Sequence, residues 1–261
     1  MQINRRHILL GAGATATTGI QPAQTRVQNK RVSQSELDDA LRLHAMWLAN
    51  INDGQRCMFN GCDLSGLRFG DQGGPPTDLS GADFTQADLT GTEADDILIH
   101  HCSFNGAIFD NCHWRQPVFA FADLRRASAK QVTWGAPGPR GPLEPPLADF
   151  SHAALHDADL REGTISGFFY GTKLVRARLC HADFSYSNFI GPKHYETTFS
   201  GAQMIGAKLR HCQISSVSFY NANCTEVDFS HSDFSEVQMK GCNIADACFS
   251  NATFERCTDP R

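Results

Sequence analysis

Ten cysteines are spread along this chain, yet no two stand three residues apart, so the C-x-x-C pair on which many zinc and dithiol sites are built is missing. Missing too are the glycine-rich loops that cradle phosphate and any stripe of Lys and Arg suited to a nucleic-acid backbone. The weakly apolar stretch 11–20 is well short of the roughly 18–20 residues that a membrane-spanning helix needs. Positive charge is scarce after the N-terminus. The first 34 residues hold Arg5, Arg6, Arg26, Lys30 and Arg31 and no acid, which leaves 18 basic against 28 acidic residues, a net of −10, for the remainder. Over most of the length apolar residues also fail to recur every three or four positions, as a helix requires, or every second position, as a half-buried strand requires.

What is present is a period of five. Every fifth residue from Leu174 to Phe254 is large and apolar, with His194 and Cys224 the exceptions. Two positions before each stands a small residue, as in Ala177, Ala182, Ser187, Ala202, Ala207 and Cys212, with Pro192 breaking the rule. The same register runs from Leu64 to Trp134, with Gly74, Ala94 and Ala129 as its weak members. A period of five fits neither helix nor strand, so each unit must be one side of a larger coil. Most of the eighteen phenylalanines fall on the large position, which makes them core residues.

The units Ala82-Asp83-Phe84, Ala87-Asp88-Leu89, Ala122-Asp123-Leu124, Ala158-Asp159-Leu160 and Ala182-Asp183-Phe184 resemble the A-(D/N)-L-x-x repeat of the pentapeptide-repeat family, over roughly residues 57–258. The resemblance implies an all-β fold, a right-handed quadrilateral parallel β-helix in which four pentapeptides close one coil of about twenty residues. The large residue then points inward and stacks on the one twenty positions later. The ladders so written are Phe84–Phe104–Leu124, Phe199–Phe219–Met239 and Phe189–Leu209–Phe229–Phe249.

Taken in order, residues 1–34 read as a signal and linker. Asn4-Arg5-Arg6-His7-Ile8-Leu9-Leu10 and the Gly/Ala-rich run after it resemble a twin-arginine export signal, which implies a periplasmic or otherwise exported protein; the other reading is a basic tail on a cytoplasmic one. Residues 35–50 form a short N-terminal capping α-helix, with Ser35 as N-cap and Leu37, Leu41, Ala45 and Leu48 on its apolar stripe. It is either a lid on the first coil or a helix that binds a partner. Residues 51–134 are a first array, 135–147 a Pro/Gly-rich loop, and 148–258 a second array of the same solenoid, slipping by one near Phe168-Phe169-Tyr170. The stretches 71–76 and 191–198 read as smaller bulges.

Chemistry is sparse. Cys57, Cys62, Cys102, Cys112, Cys212, Cys242 and Cys257 take the small inward site, where Cys stands in for Ala as a buried free thiol. His211 and His231 lie one coil apart and should stack about 4.8 Å from each other, either as a solvated ladder or as half of a metal seat. Carboxylates such as Asp63 and Asp83 are expected on one open face, with no apolar pocket to shift them. These features point to no catalytic residue, metal or cofactor, and to a non-enzymatic scaffold for an unidentified protein partner. Candidate contacts are Phe121, Tyr186, Ile190, Ile205, Tyr220, Trp134 and Arg140, the last within the Pro-rich loop. The resemblance also implies an alternative, mimicry of duplex DNA toward gyrase or topoisomerase with protection against quinolones. That alternative needs a continuous negative surface and a dimer, whereas Lys173, Arg176, Arg178, Lys208, Arg210 and Lys240 interrupt the acids.

Overall fold

The structure, a computed structural model, describes residues 30–70, 74–135, 148–190 and 196–258. They wind into an all-parallel β-solenoid of about eight turns. Strands are only two or three residues long, because each pentapeptide bends at a corner as soon as it has paired once. The longest ladder joins Arg68–Phe69, Glu93–Asp95, His113–Arg115, Thr133–Trp134 and Thr164–Ile165, one strand per coil.

Four inward columns define four faces, named here A to D in chain order. Face A starts Phe59, Phe84, Phe104; face B Leu64, Leu89, Phe109; face C Phe69, Ala94, Trp114; face D Leu79, Ile99, Phe119. Successive rings in a column lie parallel at van der Waals distance, 5.0 Å for Phe84 on Phe104 and 4.9 Å for Phe150 on Phe169. A buried Phe contributes roughly 1.5–3 kcal/mol by burial and a stacked pair about 0.5–1.5 kcal/mol more, so the columns are the main source of cohesion.

The repeat's other letters have equally local causes. The residue before the large one is outward, and at most corners where it is Asp or Asn its side chain accepts the backbone N–H two residues on, as Asp83 does from Thr85 and Asp149 from Ser151. That bond closes the corner. The last residue of the unit has positive φ, for example Gln86 at 58° and Phe121 at 60°. The small inward residue sits where a coil turns against its neighbour, and a thiol there donates to the chain above: Cys102 to the Leu79 carbonyl at 3.1 Å and Cys112 to that of Leu89 at 2.8 Å.

Stacking departs from the expected twenty-residue repeat at four places. Arg68 pairs with Glu93 and Asp183 with Lys208, because Leu79 takes its face D rung ten residues after Phe69 on face C, and Phe199 its face A rung ten residues after Phe189 on face D. Gly74 therefore takes no rung. Phe189 stacks in the column of Ile214, not above Leu209, whose partner in the coil above is Phe184. For the same reason Asp63 and Asp83 lie on different faces, B and A, with Asp63 paired to Asp88. The Pro-rich insertion leaves at the C–D corner, and residues 136–147 lie outside the described residues. At the slip, Phe169 follows Ile165 after four residues, and the shortened corner brings Gly167 against Ala148: a Cβ there would lie 2.3 Å from the Ala148 carbonyl oxygen.

The N-terminal cap begins earlier than expected. Val32 is buried and its N–H donates to the Asp63 carbonyl, so residues 30–32 add a strand segment over face B. Helix α1 runs Gln34–Leu48 with Ser33, not Ser35, as N-cap, because Glu36 stands three residues after Ser33 and closes a capping box. Its buried residues are Leu37 and His44. Ala45, placed on the apolar stripe by spacing, is exposed. The His44 Nδ1 accepts the Cys57 N–H at 3.0 Å, satisfying a donor at the top of the first coil.

Candidate functional site

The regularity of the coils decides what a surface can be built from. Outward side chains of one corner recur in a line about 5 Å apart, held by the stacking beneath them. On most of the solenoid these lines are polar and internally satisfied. Arg125 clamps Asp123 through two bonds of 2.8 and 2.6 Å, Arg161 clamps Asp159, and Arg176 clamps Asp157. The Arg125 guanidinium holds the Asp123 carboxyl below the usual carboxylate range, and Arg176 does the same for Asp157. A carboxylate engaged both by its own corner N–H and by an arginine is a structural group rather than an acid or base in waiting.

Face D and its corner toward face A differ. The outward strand positions of face D read Asp78, Leu98, Val118, Asp149, Phe168, Asn188, Gln213, Asp233 and Thr253; the middle stretch from Leu98 to Gln213 carries one charge, Asp149, and Phe168 is 46% exposed. At the D–A corner His101 stacks on Phe121 at 5.0 Å, Phe121 on His152 at 4.7 Å, and Tyr170 meets His152 edge-on at 4.9 Å. Phe121 is 53% exposed, and Ile190 stands further along the same corner. A second line of rings lies on the C–D corner: Tyr186 on His211 at 5.0 Å and His211 on His231 at 4.7 Å, close to the spacing expected from the coil repeat.

Of the residues expected to meet a partner, Phe121 and Tyr186 thus fall in these two lines of rings. Ile205 and Tyr220 lie elsewhere, beside faces B and A, half-buried and exposed respectively. Trp134 is a correction. It occupies the inward column of face C, fully buried against Phe109, Phe119 and Phe150, and cannot contact a partner. Arg140 lies outside the described residues. His101, His152, Tyr170 and Phe168 were not singled out from the sequence. The signal was there in His101, Phe121 and His152, which all stand two residues after an inward face D residue.

A cleft of about 220 Å³ lies between α1 and the first coil, floored by Ala40, Leu43, Cys57 and Phe59 and rimmed by Lys30 and Glu36. Burial pushes the Cys57 thiol up to about 12, so it stays protonated. Among the described residues no group of three or more His, Cys, Asp or Glu is placed to hold a metal ion, and no helix is long and apolar enough to cross a membrane.

The family model for pentapeptide repeats matches this chain in eight copies, over residues 77–105, 169–191 and 222–258. Solved structures similar to it include HetL, a pentapeptide repeat protein involved in heterocyst differentiation regulation from the cyanobacterium Nostoc sp. strain PCC 7120. That likeness has 16% identity over 83% of this chain and 94% of that one, with a TM-score of 0.43. Full-length QnrB1, a plasmid-mediated fluoroquinolone resistance protein, is 13% identical over 76% of this chain and 92% of its own, with a TM-score of 0.26. No curated protein matches the chain.

Proposed function

We propose that this pentapeptide-repeat solenoid is a non-catalytic scaffold that binds another protein through face D and the D–A corner. The observation that carries the reading is the line His101–Phe121–His152–Tyr170 beside Phe168, rings stacked on consecutive coils with Phe121 and Phe168 both about half exposed. Rings stacked on consecutive coils lose little entropy when a partner covers them, and aromatic anchors dominate protein interfaces. The duplex-mimic reading draws less support, because the arginine clamps interrupt the acidic surface on faces A and B. The leader resembling a twin-arginine signal supports a site of action outside the cytoplasm; a reporter fused to residues 1–40 that leaves the cytoplasm only with Arg5 and Arg6 intact would carry that point.

The test places a photo-crosslinking phenylalanine analogue at position 121 and, in a second protein, at position 130 on the B side. Adducts to one protein species at 121 and not at 130 are expected, and Phe168→Ser in the same chain should abolish them. Equal labelling at both positions, or adducts indifferent to Phe168→Ser, would remove face D as the docking surface.

A further inference from the structure

Two of the ten cysteines touch each other. Cys224 is an inward residue of face B and Cys242 is the small inward residue one coil later, and their sulfurs stand 3.2 Å apart with both thiols free. At this small position elsewhere the thiol is engaged by backbone: Cys102, Cys112 and Cys212 donate to carbonyls of the preceding coil. Cys242 instead has a second sulfur as its near neighbour, and the Met204 thioether lies 3.9 Å from Cys224 on the far side. The pair also sits where the solenoid's cover thins. Cys224, Phe229 and Phe234 are at most 1% exposed, whereas one coil on Ile244 and Phe249 are only partly buried and Phe254 is 52% exposed.

We propose that Cys224 and Cys242 are a built-in oxidation site, which a peroxide converts into a disulfide that staples the last coil, residues 239–258, to the one before it. Cys242, 6% exposed against 0% for Cys224, is the residue an oxidant reaches first. The Cys224 S–H beside it holds Cys242 below the usual thiol value, while the same contact and burial push Cys224 up. The Cys242 thiolate attacks one oxygen of hydrogen peroxide, breaking the O–O bond and leaving a sulfenic acid and hydroxide. The Cys224 sulfur then attacks the sulfenic sulfur and forms the S–S bond. The sulfenic oxygen departs as water with the Cys224 proton. Two thiols are oxidised by two electrons and one peroxide is reduced to two waters. The sulfurs need close by little more than 1 Å to reach the roughly 2.05 Å of a disulfide. The same bond forms by exchange with a small disulfide such as oxidised glutathione, and a dithiol reverses both.

The experiment uses the full chain, reduced and then exposed to one equivalent of hydrogen peroxide. Free thiols are blocked after denaturation and the product is mapped by mass spectrometry. Two fewer blocked thiols and a 224–242 cross-linked peptide, both reversed by dithiothreitol, are the expected result. Cleavage within 225–241 by a nonspecific protease should slow on the order of a hundredfold on oxidation, the size of a constraint closing a loop of this length. Cys242→Ala, which places at this site the residue that Ala222 supplies one coil earlier, should fold and lose both effects. Ten blockable thiols after peroxide, a cross-link involving Cys180 or Cys248 instead, or unchanged protease sensitivity on formation of the 224–242 bond would each overturn the proposal.

Discussion

At the scale of single residues, the solenoid core is a test of how polar atoms survive among stacked rings. Trp114 directs its Nε1–H to the Thr92 hydroxyl at 3.0 Å. Trp134, one coil later in the same column, has a buried Nε1 that finds no partner among the described residues. The reason lies in the small position of the coil above. Where Trp114 meets the Thr92 hydroxyl, the equivalent residue for Trp134 is Cys112, whose sulfur is a weak acceptor and whose proton goes to the Leu89 carbonyl. Replacing Thr92 with Val should therefore cost about 1–3 kcal/mol, the penalty of stranding a buried donor, and lower the melting temperature by several degrees. An unchanged melting temperature would mean that the indole bond adds nothing. A second residue-scale expectation concerns the shortened corner. Gly167→Ala drives a methyl into the Ala148 carbonyl and should destabilise by about 1–3 kcal/mol, whereas Gly66→Ala, with open space around its Cβ position, should lose only the smaller strain of positive φ. Equal losses at the two glycines would show that backbone conformation, not the close approach, sets the requirement.

At the scale of elements, the cap shows how far spacing can be read. Helix α1 was legible as a short helix ahead of the first coil, but its N-cap and its inner stripe were not. Both Ser33 and Ser35 are chemically able to cap, and the choice falls on Ser33 because only it has Glu three residues on. The inner stripe passes through His44, a residue that polarity alone assigns to solvent, because the top of the first coil presents the Cys57 N–H and needs an acceptor. Burial lowers the His44 pKa below its ordinary 6.5, with Asp78 and Arg56 the charged groups facing it and acting in opposite directions. The sign follows from linkage. Below pH 6.5 the unfolded cap takes up a proton that folded His44 refuses, so docking of α1 is fully supported above 6.5 and weakens as the pH falls through the lower, folded value. The loss can reach about 1.4 kcal/mol per pH unit. Hydrogen exchange of the α1 amides should accelerate between pH 6.5 and 5 relative to the middle coils, after correction for intrinsic rates. His44→Asn keeps a side-chain acceptor but does not titrate there, and should flatten that profile. A profile unchanged by His44→Asn would assign the pH response to other groups.

For the whole molecule, what could be read from the sequence divides by the length over which a pattern must be counted. The five-residue unit, the inward phenylalanines and the free buried thiols follow from local chemistry, and the structure repeats them coil after coil. The twenty-residue circuit does not follow, because the steps from Phe69 to Leu79 and from Phe189 to Phe199 each spend ten residues on one change of face while leaving the five-residue count undisturbed. Phe189 thus keeps its register in sequence and changes its neighbour in space. The D–A line of rings asks for the same knowledge of the circuit: Phe121 and His152 share a position in the five-residue unit but lie thirty-one residues apart, and they stack in space. If the stack is the unit of folding, stability is close to a sum of coil and nearest-neighbour terms. Excising residues 199–218 joins Thr198 to Phe219, and the pairing of Thr198 with Ser218 shows that this junction keeps face A in phase. Phe219 then lands on Leu174, and Phe229 on Phe184. The shortened chain should fold, keep its far-ultraviolet spectrum per residue and melt cooperatively at a modestly lower temperature. Excising 199–216 removes almost as much chain but shifts every later residue by two positions, turning the large inward side chains outward and leaving small ones such as Val217 and Ala222 in their places, and that protein should be unfolded or aggregated. If both excisions fold equally well, the inward columns are not what selects the fold. If both fail, the coils are not exchangeable units and the additive description does not hold.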